Sequence, residues 1–229
     1  MILDYTELLK SSDYQLYETV ILNNEYSVFL DDIKDRIVLD IGANIGMFTG
    51  LALKLGARKV IAVEPIAETY KKLEELYRYD IRVKTQNKCL WYEDGIVFNF
   101  DTDTSESRMI VDGKFSATSI TLLSLFKKYD LLYNRDLILK MDIEGAEHDI
   151  LHNTSPDIIR KFEYIFIEIH EQPKLVDVTK YSIDKLKEYL YSIGYEIKET
   201  NPYYWKEYSN HQLLKMTKMP MEVSKFKRI

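Results

Sequence analysis

The sequence predicts an α/β fold in which a mostly parallel sheet is covered by helices on both faces. Three observations carry that reading. Apolar runs of strand length alternate with stretches of helical period, closely spaced glycines stand where the first strand passes into a helix, and ionisable residues gather at the ends of later strands. Such alternation implies parallel strands joined by right-handed crossovers. In sheets of this kind ligands sit beyond the carboxyl ends of the strands, where strand order reverses.

"RIVLDIG" is the first strand; Phe48, Leu51, Ala52 and Leu55 share one face of the helix that follows, and Gly56 stops it. "KVIAVEP" is the second strand, closed by Pro65, which has no backbone donor. Tyr70, Leu73, Leu76 and Tyr77 mark the next helix, and "IRVKTQN" is the third strand. From Trp91 to Ser116 the pattern is less regular, with "GIVFNFD" and "RMIVDG" as short strands or a loop excursion. Leu122, Leu125, Phe126 and Tyr129 restore helical spacing before the strand in "LILKMDIEG". "EYIFIEIHE" is a further strand, and Ile183, Leu186, Leu190 and Ile193 define a helix that ends at Gly194. "YEIKETNPYYWKEY" reads as two strands joined by a turn at Asn201-Pro202. No repeat or Gly/Ser-rich linker divides the chain. Residues 1–229 are therefore read as one domain, with 1–30 an extension over the substrate side and 213–229 a solvated basic tail.

An apolar fraction of 46% and a charged fraction of 30% are those of a globular protein. A net charge of −6 argues against a main role in gripping nucleic-acid phosphates. Cys89 is the single cysteine, which excludes an intrachain disulfide and is expected to serve as a small buried apolar group. The first residues lack the basic segment and apolar core of a secretory signal. No window approaches the ~20 apolar residues that a membrane span needs. The expectation is a cytoplasmic protein with no membrane partner.

The loop "DIGANIG" fails as a dinucleotide fingerprint, because Asn44 stands where the second glycine belongs, and no Lys-Ser/Thr pair makes it a phosphate-binding loop. What remains is Asp40, Gly42, Asn44 and Gly46, with Glu64 at the end of the second strand. A carboxylate at that place can accept from both ribose hydroxyls, and a second one, Asp40, suits a ligand with cationic groups. S-adenosylmethionine has that profile: a ribose, an ammonium, a sulfonium and no phosphate. Asn44 also tolerates the left-handed turn better than most side chains.

"VLDIGANIGMFTGLALKLGARKVIAVEP", "LILKMDIEGAEHDIL" and "IFIEIHE" together resemble the FkbM family of S-adenosylmethionine-dependent methyltransferases. The resemblance covers roughly residues 32–194. It implies the class I methyltransferase (Rossmann-like) fold, a seven-stranded mostly parallel sheet with a C-terminal antiparallel hairpin, and transfer to a hydroxyl oxygen. One departure is Leu123 in "TLLSL", where the family often carries an acid.

Alternate strand residues share a face, which groups Lys140, Asp142 and Glu144 on one strand and Glu168 with His170 on the next. Buried parallel strands should be apolar on both faces, so these five are candidates for the catalytic cleft. A hydroxyl acceptor must lose a proton. His170 could take it, with an ordinary pKa near neutrality; Lys140 could, if burial lowers its pKa; or Asp142, Glu144, Glu168 and His170 could hold a divalent cation. The direct base is favoured over the metal, whose ligands would be Asp142, Glu168 and His170. Asp142 also stands where it can touch the cofactor, and Asn87, just past the third strand, can contact the adenine.

The function expected is O-methyl transfer to a small molecule or sugar. The alternatives are an RNA or tRNA methyltransferase, against which the acidic charge stands, and a non-catalytic domain that binds the same cofactor. Asn201-Pro202-Tyr203-Tyr204 resembles an amino-group methyltransferase motif but lies in the expected hairpin, not after the fourth strand, and is read as a turn.

Overall fold

Strands enclosed on both faces need apolar residues throughout, and the middle of this chain supplies them. The computed structural model describes residues 14–100, 109–110, 115–170, 182–199 and 211–219. Its strands in chain order are β1 (Ile37–Ile41), β2 (Lys59–Val63), β3 (Val83–Gln86), β4 (Cys89–Leu90), β5 (Val97–Phe100), β6 (Met109–Ile110), β7 (Phe115–Ile120), β8 (Leu137–Met141), β9 (Phe162–His170), β10 (Tyr195–Glu199) and β11 (His211–Lys218). The helices are α1 (Tyr14–Leu16), which runs on into a π-helical segment Tyr17–Leu22, then α2 (Leu30–Ile33), α3 (Met47–Lys54), α4 (Ala67–Tyr77), α5 (Leu122–Lys128), α6 (Glu147–Asn153), α7 (Pro156–Ile159) and α8 (Ile183–Ser192).

The main sheet has seven strands in the order β10-β11-β9-β8-β1-β2-β3. All neighbours are parallel except β11, which is antiparallel to both β9 and β10. From β1 the chain moves outward through β2 to β3 and then crosses back to β8. The order reverses between β1 and β8, and the carboxyl ends of these strands are where a ligand crevice opens.

The two faces of the sheet bury separate cores. Leu39, Ile41, Leu139, Met141, Ile165, Ile167 and Ile169 point to one. Val38, Ile138 and Phe166 point to the other, against Phe48, Leu51 and Ala52 of α3 and Val20 of the π-helical segment. On that second face Asp40 follows Val38, Lys140 follows Ile138, and Glu168 and His170 follow Phe166, each displaced by the two-residue strand period. Apolar contact thus gives way to charge toward the carboxyl end of each strand.

"GIVFNFD" and "RMIVDG" contribute β5 and β6 to a second sheet of order β4-β7-β5-β6, which also takes in Phe115–Ile120. Cys89 is buried there as expected; its Sγ lies 3.8 Å from the Ala117 carbonyl, and burial pushes the thiol up to about 12. In α4, Leu73 and Tyr77 face inward, whereas Leu76 is 38% exposed.

The C-terminal hairpin needs correction. Its first strand is β10 as expected, but the partner of β10 is β11, which begins at His211, three residues past the end of the "YYWKEY" half of the expected pair. The turn at Asn201-Pro202 lies outside the described residues, as does 220–229. The basic tail expected from residue 213 is in its first part a central strand: Leu213, Leu214 and Met216 are buried, Leu213 in one core and the other two in the opposite one. Lys215 disguises it. Its Nζ donates to Asp32 Oδ2 at 2.7 Å and lies near the rings of Phe29, Tyr164 and Phe166, so a charged residue sits in an enclosed strand with its charge paired.

Candidate active site

β1 ends in a turn that only small residues can make. Gly42 has φ +72°, and a Cβ there would lie 1.8 Å from the Asp142 carbonyl oxygen, so the loop after β1 and the loop after β8 touch through backbone. Asn44 takes φ +51°, the left-handed conformation expected of it. Gly46 has φ +93°; a Cβ there would meet Tyr77 and Leu73, and the Tyr77 hydroxyl donates to the Gly46 carbonyl at 2.7 Å. Beneath the loop Asp40 is fully buried. Its Oδ2 accepts from the Thr49 hydroxyl at 2.6 Å, and its Oδ1 has no hydrogen-bond partner among the described residues.

Glu64 reaches the same loop from β2. One carboxylate oxygen accepts from the Asn44 N–H at 2.9 Å and the other from the Ile66 N–H at 2.8 Å. Burial pushes its pKa up to about 7, against the lowering effect of those two donors. Each oxygen retains a second lone pair for a hydroxyl donor. The Asn87 amide donates to the carbonyls of Glu64 and Pro65, both at 2.9 Å, and so fixes the end of β2.

Across the switch point, Lys140 Nζ donates to the Gly42 carbonyl at 2.8 Å and stands between Asp40 at 3.7 Å and Asp142 at 3.6 Å. Asp142 Oδ2 accepts from the Tyr26 hydroxyl at 3.1 Å. Glu144, on the turn after β8, holds φ +58°, and its Oε2 lies 3.6 Å from His170 Nε2. Glu168 Oε1 is 3.5 Å from the same nitrogen. The other ring nitrogen, Nδ1, meets Glu147 Oε1 at 3.1 Å, an oxygen that also accepts from the N–H groups of Ile143 and Gly145. The five ionisable residues grouped by strand period therefore meet in one place, and the cofactor-loop residues stand beside them.

Two charge expectations are corrected. Burial alone would lower the Lys140 pKa, but Asp142, Asp40, Glu168 and Glu25 outweigh it and raise it instead, so Lys140 is a fixed ammonium rather than a free base. Burial would likewise lower His170, yet Glu147, with Asp142 and Glu168 adding, drives it up to about 10. Those carboxylates favour the protonated ring. Glu144 is raised to about 7, chiefly by burial.

Three residues of this site were not singled out in the sequence. Glu147 sits in the quoted "KMDIEGAE" but reads as an acid opening a helix. Glu25 and Tyr26 are buried over the strand ends, in a segment without a motif. Burial, then Glu168 and Asp142, raises Glu25 to about 8.

A family model described as "Methyltransferase FkbM domain" matches residues 40–197. The chain belongs to the FkbM methyltransferase family. It is an S-adenosylmethionine-dependent methyltransferase. No curated protein matches it. Among solved structures, it is similar to the methyltransferase FkbM of Methylobacillus flagellatus KT at 19% identity and a TM-score of 0.51, covering 87% of this chain and 47% of that one. The chain thus spans about half the length of that relative. It is also similar to an rRNA methylase from Streptococcus thermophilus at 12% identity and a TM-score of 0.52, covering 87% of this chain and 96% of that one. At these identities both show the fold of the methyltransferase, which is the class I sheet with its antiparallel C-terminal strand. Among the described residues no helix is long and apolar enough to cross a membrane.

The residues present fit the family's cofactor. Asp40, Glu64 and Asp142 set three carboxylates around the switch point against the one ammonium of Lys140. A ligand bearing an ammonium and a sulfonium suits that balance, and Asp40 Oδ1, buried without a hydrogen bond among the described residues, adds to it.

Proposed function

We propose that this methyltransferase methylates a hydroxyl oxygen of a small molecule or sugar. The observation that carries the reading is the meeting of Asp142, Glu144, Glu168 and His170 at the ends of β8 and β9, beside the cofactor loop. When bound, S-adenosylmethionine supplies an electrophilic methyl group. The chain's own residues then do the rest. Glu64 accepts from the ribose while holding the loop through Asn44, Asp40 supplies negative charge beneath it, and Asn87 fixes the strand end beside the adenine. Lys140, permanently charged, holds the Gly42 carbonyl and Asp142 in place.

An alcohol oxygen is a poor nucleophile until its proton leaves, and a site for it needs an acceptor or a charge that acidifies it. A cluster of three carboxylates and an imidazole supports that chemistry. An amine acceptor needs no such cluster, and the segment after β8 is Asp142-Ile143-Glu144-Gly145 rather than the motif of amino-group enzymes.

The reading is tested by incubating the protein with cofactor labelled in the methyl group and a small-molecule extract, then identifying the labelled product by mass. An O-methylated small molecule is expected. Label found instead in RNA, with steeply salt-dependent binding of bulk tRNA, would move the enzyme to the RNA class. S-adenosylhomocysteine should raise the melting temperature, by the equivalent of about 2.7 kcal/mol at a hundredfold excess over Kd, and NAD should not.

A further inference from the structure

We infer that Asp142, Glu168 and His170 form a divalent-cation site, with Glu147 setting the histidine that completes it. One carboxylate oxygen from each acid and one imidazole nitrogen lie within 4.8 Å of one another. Two ligands of a cation held at about 2.1–2.4 Å stand at most about 4.2–4.8 Å apart, so the three atoms are already gathered to within a small side-chain adjustment of binding distance. They come from the rigid end of β9 and the residue that follows β8, not from surface loops.

The arrangement around the three residues is that of a metal centre rather than of a loose acidic patch. His170 is 1% exposed and directs Nε2 toward Glu168, because Nδ1 is engaged by Glu147. A carboxylate behind a ligating histidine fixes its ring and tautomer and is the usual partner of such a ligand. Glu147 itself is fully buried, accepts from two backbone N–H groups through Oε1, and keeps an Oε2 without a hydrogen-bond partner among the described residues. A carboxylate buried to that depth requires positive charge close by, supplied by the protonated His170 ring or, once the Nε2 proton has been displaced, by a cation on that nitrogen. Lys140 and Tyr26 both address Oδ2 of Asp142, and a carboxylate so held can still bind a cation through its second oxygen.

Two carboxylates and one imidazole suit a cation that accepts both oxygen and nitrogen, with Mn²⁺ the natural probe. Such an ion would hold the acceptor oxygen and make its proton easier to lose, a consequence that rests on the hydroxyl reading, whereas the binding itself does not.

The test is a titration of tag-free full-length protein with Mn²⁺, following loss of the free-ion signal by electron paramagnetic resonance. One site per chain is expected. His170→Ala and Glu168→Gln should each weaken it at least tenfold, Glu147→Gln by about 10–100-fold, and Glu188→Gln, on α8 away from the cluster, not at all. The melting-temperature rise given by S-adenosylhomocysteine reports on each variant's fold. Wild-type protein that responds to S-adenosylhomocysteine but takes up no Mn²⁺ at millimolar concentration overturns the metal site and leaves the methyltransferase standing. So does binding unchanged in both His170→Ala and Glu168→Gln. Mn²⁺ bound by a protein that methylates no hydroxyl keeps the site and removes the proposed acceptor.

Discussion

The Tyr26 hydroxyl donates to Asp142 Oδ2 at 3.1 Å, joining residues 116 apart in the chain. The bond ties the segment before β1 to the loop after β8 and closes the charged cluster from above. Tyr26→Phe keeps the ring and its edge-on contact with Phe48 but removes a donor to the half-buried Asp142, a loss of about 0.5–1.5 kcal/mol. A lower urea midpoint is expected, with a lower kcat. A variant as stable and as active as wild type would show that the segment before β1 is not held this way.

Glu64→Ala should weaken S-adenosylhomocysteine by roughly 1.5–3 kcal/mol, about 10–150-fold. It should also lower the melting temperature of the free protein, since the N–H groups of Asn44 and Ile66 lose their acceptor. Calorimetric titration and a melting curve read the two effects separately. Unchanged affinity would take Glu64 out of the cofactor site.

Gly42→Ala tests the contact between the two loops. The new Cβ would sit 1.8 Å from a backbone oxygen at a φ of +72°, and backbone cannot step aside as a flexible side chain can. The expected result is a loss of more than about 3 kcal/mol of stability and no melting-temperature rise on adding S-adenosylhomocysteine. Near-wild-type behaviour would mean that the loops separate easily.

His170→Ala should lower kcat by about 10²–10⁴, the usual contribution of a positioned proton-transfer group or its equivalent. S-adenosylhomocysteine affinity should change less than threefold, because the ring lies beyond the residues assigned to the cofactor. A fully active variant would remove His170 from turnover.

Stability should fall as pH rises. Glu64 and Glu25 have folded pKa values of about 7 and about 8, both raised chiefly by burial above the ordinary 4.5. The folded protein therefore holds their protons more tightly than the unfolded chain, so their contribution is greatest below pH 4.5 and is lost as pH climbs through 7 and 8. The urea midpoint of cofactor-free protein should be lower at pH 8.5 than at 5.5, and Glu25→Gln should flatten the difference. A higher midpoint at pH 8.5 contradicts the assignment.

The sheet and the cofactor loop were legible because their signals are local. Apolar runs, the Gly42–Gly46 spacing and the two-residue alternation of ionisable residues at the ends of β8 and β9 each lie within a dozen residues. What escaped depends on partners far along the chain. Glu147 is recognisable as a site residue only beside His170, 23 residues later, and Tyr26 only beside Asp142. β11 looked like a solvated tail because Lys215 is charged, and its counter-ion, Asp32, lies 183 residues earlier. The raised pKa of Lys140 was equally hidden, since two of the carboxylates responsible, Glu25 and Glu168, stand on other segments.

β11 lies between β9 and β10, and pairs His211 with His170 and Leu213 with Glu168. The strand that flanks the charged cluster is therefore made after every other described strand of the sheet. Until it arrives, β9 is a nine-residue edge with its hydrogen-bonding groups unpaired and an apolar face uncovered. During synthesis the enzyme passes through a stage with most of its sheet built, no competent site, and a surface that invites pairing with other nascent chains. Premature termination near residue 210 would hold it there, so such products should appear as aggregates or degradation fragments rather than as weak enzymes.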